Sequence, residues 1–235
     1  MSVTQMRTGS SAAAECWSCK AATKGGHFCA ACGKIQPLPR GADYFAFFEL
    51  PRKLRIKVEE LEQRFHQLSW KLHPDNFMRA SEFERNLSLE RSSELNDAYR
   101  TLRDPVTRVE YLLLREGMRK EGTTKQQAPP ELLEEVFELN ESLDELREAR
   151  VSSADGSELA KLKKTLLAAQ ENFTEKLDAV DAELESAFGQ WDHAIDAGAD
   201  EVERKAIMTR LNEILNRRSY IRNLVANVLK ELSEA

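Results

Sequence analysis

The sequence predicts an all-α protein, in which a helical hairpin is followed by an antiparallel three-helix bundle and preceded by a small cysteine module. Three observations predict it. Leu, Glu, Ala, Lys and Arg dominate a chain of 235 residues that holds only 10 glycines and 7 prolines, a composition that favours helix. Apolar residues recur at spacings of three and four over most of the length, and no segment alternates convincingly with period two. All four cysteines, Cys16, Cys19, Cys29 and Cys32, stand close together near the start. With 41% hydrophobic and 31% charged residues, the chain suits one to three globular modules.

Residues 1–14 carry a single arginine, Arg7, and no apolar run. They read as a short disordered tail rather than a signal peptide or presequence, and the expected compartment is cytoplasmic. No run approaches the roughly 18 apolar residues that a membrane span requires. Residues 15–40 form the cysteine module and its linker, which ends at Pro37-Leu38-Pro39-Arg40-Gly41, a stretch that cannot continue a helix. Residues 42–119 form a middle domain. Residues 120–130 are polar and rich in helix breakers, so they read as a second linker, and residues 131–235 form the bundle.

The two C-x-x-C pairs each place two thiolates on one tight turn. Together they complete an all-sulfur tetrahedral shell, which suits a structural zinc ion with no open position for water. Metal binding then supplies the folding energy that a module of about twenty residues cannot draw from a core. The alternative is redox chemistry, which normally sits at a helix start within a βαβ unit; no such unit is predicted. His27 reads as a turn residue.

In the middle domain, Val58, Leu61, Phe65, Leu68 and Leu72 make one buried helical stripe. That helix stops at His73-Pro74, because proline disfavours helical geometry in the residue before it. A second long helix is expected from Glu82 to Leu102, burying Leu95, Ala98, Tyr99 and Leu102, and a short one from Val106 to Arg115 with Leu112 and Leu113 inside. Two helices joined by a tight loop make a hairpin, and His73-Pro74-Asp75 falls at its tip. Arg64, Gln67 and Lys71 share a non-core face of the first arm.

Three stripes define the bundle. They are Leu132, Val136, Leu139, Leu143 and Leu146; then Leu162, Leu166, Ala169, Phe173, Val180, Leu184, Trp191 and Ile195; then Ile207, Leu211, Ile214, Ile221, Val225, Val228 and Leu232, which Arg218 interrupts. The first helix carries eight acidic residues and one basic residue between Glu131 and Glu148. Leu133 and Phe137 lie roughly 100° around from Leu132 and Val136. They either widen the core stripe or form an exposed apolar pair in an acidic frame, which would suit a basic protein partner.

Residues 43–117, from Asp43-Tyr44-Phe45 through His73-Pro74-Asp75 to Asn96-Asp97-Ala98-Tyr99 and Arg108-Val109-Glu110-Tyr111-Leu112-Leu113, resemble a J-domain. More narrowly they resemble the HscB family of iron–sulfur co-chaperones. The opening Asp43-Tyr44-Phe45-Ala46-Phe47-Phe48 is similar to the family's D-Y-F-x-x-F. The paired C-x-x-C knuckles, the first of them Cys16-Trp17-Ser18-Cys19, resemble its animal branch. The resemblance implies that His73, Pro74, Asp75, Arg64 and Lys71 dock an HscA/DnaK-type chaperone ATPase and speed its ATP hydrolysis. It also implies that Leu133, Phe137, Glu138, Glu141, Glu145 and Tyr220 bind the iron–sulfur scaffold protein IscU. Glu134 departs from the pattern, since the family usually has an apolar residue there.

Catalysis has little support. The sequence has no G-x-x-x-x-G-K-[ST] loop and no arrangement of groups that would activate a nucleophile. A J-domain adaptor for a different client is the alternative within this class. A zinc-ribbon nucleic-acid binder is the alternative outside it, and the net charge of −6 speaks against it, because phosphate affinity rests on accumulated cations.

Overall fold

A computed structural model describes residues 14–23, 25–38, 43–119, 129–152 and 155–233. The expected tail before Ala14, residues 39–42 and 120–128 of the two linkers, and Ser153-Ala154 lie outside the described residues. Contacts divide the chain into two units. One holds the residues up to Arg52 together with Ile56–Asp104; the other holds Lys53–Arg55 and the residues from Pro105 onward.

The first unit begins with two short strands, β1 (Ala14–Glu15) and β2 (Ala22–Thr23), paired antiparallel. No strand signal is legible here, because two residues are too few for a period. Two knuckles share one backbone pattern. Lys20 N donates to Cys16 O and Gly33 N to Cys29 O, while Cys16 N and Cys29 N donate to Ala21 O and Lys34 O. The residue that closes each knuckle has positive φ, 63° at Lys20 and 70° at Gly33. Glycine takes that conformation without steric cost.

Next come α1 (Tyr44–Phe47), α2 (Val58–Leu72) and α3 (Glu82–Arg103). Asp43 caps α1, accepting from Ala46 N at 2.6 Å, and Ser81 with Glu84 forms a capping box on α3. Leu61 and Leu72 of α2 and Leu95, Ala98 and Leu102 of α3 are buried, and the rings of Phe65 and Tyr99 stack with centroids 4.3 Å apart. This is the expected hairpin. Its second helix also buries Glu84, Ser88 and Arg91, which a purely apolar stripe does not foresee.

The second unit comprises α4 (Pro105–Arg115), α5 (Leu133–Val151), α6 (Gly156–Ala197) and α7 (Glu201–Ser233). The sequence places the end of the middle domain at residue 119. In the structure α4 goes with the second unit, because Val109, Leu112 and Leu113 join the same core as Leu139, Phe173, Leu184, Trp191 and Ile214. Ion pairs fix the directions of the long helices. Glu131–Arg217 and Arg147–Glu231 make α7 parallel to α5. Arg218 pairs with Asp181 and Arg210 with Glu183, so α6 runs antiparallel to α7. Arg218 therefore interrupts the apolar stripe in order to pair across the bundle. Gly198, with φ of 65°, ends α6 in a left-handed cap.

The short segment Lys53–Arg55 is clipped to α6. Asp192 accepts Leu54 N at 2.7 Å and Arg55 N at 3.0 Å. A Cβ on Gly189 would stand 3.0 Å from the Arg55 guanidinium, so glycine leaves room for that side chain to cross the helix. Phe188 lies in the core at 1% exposure. Phe188→Ala should cost about 3–5 kcal/mol of stability, read as an earlier loss of helical circular dichroism in urea.

Candidate functional site

The cysteine cluster is the most sharply defined site. The four Sγ atoms all lie within 4.8 Å of one another, and two pairs, Cys16–Cys32 and Cys19–Cys29, stand 3.7 Å apart. Four thiolates around a tetrahedral ion with metal–sulfur bonds of about 2.3 Å have sulfur–sulfur edges of about 3.8 Å, so the four side chains fit a single metal ion. Cys16 and Cys29 are buried, whereas Cys19 and Cys32 face solvent. Burial opposes ionisation of Cys16. The N–H groups of Cys19 and Ser18 and the neighbouring thiols outweigh it and bring the thiol down to about 6. Gln36 Nε2 adds a further donor at 3.3 Å.

The module is seated on the hairpin. Lys34 pairs with Glu84 at 2.8 Å and holds that carboxyl below its ordinary range, against the burial that would raise it. Trp17 meets Phe83 edge to face, and its indole N–H donates to Ile35 O. His27 lies on a bend, as expected, and also bridges module and hairpin. Its Nε2 donates to Phe47 O at 2.8 Å, and its Nδ1 accepts from Arg91. Burial, and then the Arg91 cation, lower its pKa, and its two partners favour the tautomer with the proton on Nε2. No sequence pattern marks this role, because the partners of His27 are 20 and 64 residues away.

The His73-Pro74-Asp75 tip projects from the hairpin, with side-chain exposures of 56% for His73 and 78% for Asp75. Pro74 starts a 3-10 turn, Pro74–Phe77, and His73 Nδ1 accepts from Asp75 N at 3.3 Å. Asn76 Nδ2 donates to Trp70 O at 2.6 Å. Lys71 is exposed at the same end of α2. Arg64 lies further back, half-buried, and its guanidinium donates to Phe48 O and Glu49 O. It therefore braces the turn after α1 as well as lying on the basic face. Trp70 and Met78 flank the tip at 80% and 70% exposure. No motif marks either residue, although Trp70 falls outside the stripe of Leu61, Phe65, Leu68 and Leu72.

On α5, Leu133 and Phe137 are 55% and 70% exposed, so they do not widen the core stripe. Leu133, Phe137, Glu141 and Glu145 follow one ridge at a spacing of four, and Glu138 is exposed beside it. Glu134 is exposed as well. Tyr220 is half-buried against the bundle core, and the α5–α7 ion pairs set it level with the first turn of α5.

No protein-family model matches the chain. Individual proteins do. The chain is 34% identical over 188 residues to the iron–sulfur cluster co-chaperone protein HscB of Mus musculus, covering 78% of this chain and 74% of that protein. It is 32% identical over 174 residues to a co-chaperone protein HscB homolog of Vibrio vulnificus, covering 73% and 94%. The crystal structure of human co-chaperone protein HscB superposes with a TM-score of 0.60 at 26% identity, covering 93% of this chain and 98% of that one.

The cluster predicts one metal ion per chain. Native mass spectrometry should find a single equivalent in the wild type and none in Cys29→Ser, because three thiolates no longer close the shell.

Proposed function

Because this chain belongs to the HscB family of iron–sulfur cluster co-chaperones, we propose that it stimulates the ATPase of an HscA/DnaK-type chaperone through a J-domain and delivers an IscU-type scaffold protein to it. The observation that carries this reading is the exposed Asp75 carboxylate on a tip whose backbone is held at every turn. Pro74 limits the local torsion, His73 and Asn76 tie the loop internally, and the hydroxyls of Ser88 and Ser92 hold Leu72 O. A carboxylate presented this way is pre-organised to pair with a cation of the chaperone. Lys71 steers the approach and makes it sensitive to salt.

The second surface lies on α5. Leu133 and Phe137 supply an apolar centre, and Glu138, Glu141 and Glu145 supply a rim for basic groups of the scaffold protein, the anatomy of a protein interface with few buried charges at its core. Tyr220 stands level with it on α7. Glu134 puts one more carboxylate in the rim, where the family pattern has an apolar residue. The four cysteines suit zinc, whose role here is to hold the module folded.

Asp75→Asn should reduce chaperone ATPase stimulation more than about tenfold, the loss of one charge-assisted hydrogen bond worth about 1.5–3 kcal/mol. Circular dichroism and metal content should stay unchanged. Retained stimulation removes Asp75 from the docking site. Phe137→Ser should weaken scaffold binding by at least about tenfold, as truncation of an interface anchor does, while the melting temperature stays put. Equal binding by calorimetry would place the client elsewhere.

A further inference from the structure

Glu84 and Arg91 stand seven residues apart on α3 and therefore share one stripe of the helix. Both are buried, at 5% and 2% exposure, and Ser88 lies between them. Their polar partners come from the cysteine module, apart from the Ser81 cap on Glu84: Lys34 for Glu84, and His27 and Gln36 O for Arg91. Among the described residues no carboxylate comes within ion-pair distance of Arg91, and Glu94, one turn further along α3, acts on it only through its charge. Arg91 Nε has no partner, and its guanidinium lies 5.0 Å from the centre of the Phe47 ring. A buried cation in that position depends on the few acceptors it has.

These contacts continue to the face of α2. Gln36 Nε2 donates to Cys16 Sγ, and Gln36 O accepts from Arg91 at 3.4 Å. Arg91 donates to His27, and His27 donates to Phe47 O. The next two carbonyls, Phe48 O and Glu49 O, accept from Arg64 of α2 at 2.6 and 3.1 Å. Gly26–Phe28 of the module and Gln63, Gln67 and Lys71 of α2 border one cleft of about 680 Å³.

We infer that the buried polar stripe of α3 is a built seat for the cysteine module, and that Arg91 is the positioning residue through which the folded module fixes the α1 turn and the exposed face of α2. The hairpin is then incomplete without the module. Once the four thiolates are no longer gathered, the module has no core of its own to hold it, and Arg91 loses both of its acceptors. The four-residue α1, which His27 holds by its last carbonyl, loosens next. Metal loading is thereby felt at the α2 face. This inference goes beyond the docking role and does not require it.

Amide hydrogen exchange of the full chain, loaded or stripped with a chelator, tests it. Stripping should speed exchange of residues 44–50 by at least about tenfold while leaving α5–α7 unchanged. In Arg91→Met, with one equivalent of metal still bound, residues 44–50 should already exchange fast, and stripping should change them less than about twofold. His27→Ala, which alters the module and leaves the hairpin core intact, should behave the same way, so a folding defect in the Arg91 variant does not remove the test. Acceleration confined to residues 14–38, or an unchanged response to stripping in both variants, overturns the inference.

Discussion

The exposed tip depends on how the carbonyls at the end of α2 are satisfied. A helix that reaches a proline loses the N–H that would bond the carbonyl four residues back, and with Pro74 that carbonyl is Trp70 O. Asn76 Nδ2 takes the missing place at 2.6 Å. Leu72 O, the last carbonyl of the helix, receives Ser88 Oγ at 2.7 Å and Ser92 Oγ at 3.0 Å from α3. The loop is therefore tied both to itself and to the other arm of the hairpin. Asp75 stays in solvent while its backbone is fixed, which is the condition for presenting a charge to a partner without an ordering cost at the moment of contact.

The same rule, that a buried polar group needs a partner, organises both units. In the first unit it binds the module to α3 through Glu84 and Arg91. In the second it closes the bundle: Glu231, 9% exposed, receives Arg147 and Arg150 of α5. Arg147 holds that carboxyl below its ordinary value, and Arg150 adds to the effect. Leaving either carboxylate without its cation would strand a buried charge, at a cost well above that of losing a surface pair. These pairs also specify register. A bundle helix sliding by one turn would keep its apolar stripe and lose its ion pairs.

The outer face of α5 shows the opposite condition. Its carboxylates are exposed, and Leu133 and Phe137 have no place in the core that Leu139, Leu143 and Leu146 fill. A helix that needed only to pack could dispense with both. An apolar pair kept in water within an acidic frame suits the proposed interface with a basic partner.

The sequence by itself determined the long helices, several of their ends and the clustering of the four cysteines. Each is encoded locally: spacings of three and four at Leu61, Phe65, Leu68 and Leu72, proline at 74 and 105, glycine at 198, and two thiols per turn at Cys16–Cys19 and Cys29–Cys32. Only the tertiary structure decided which exposed-looking residues are partners. Neither the bridging contacts of His27 nor the bracing contacts of Arg64 can be read from the sequence, because each side chain finds its partners across the fold. The same holds for Leu133 and Phe137, whose periodicity fits core and surface equally well. Periodicity fixes the angle of a side chain about its own helix, and only the packing of the neighbouring helices decides whether that angle faces protein or water.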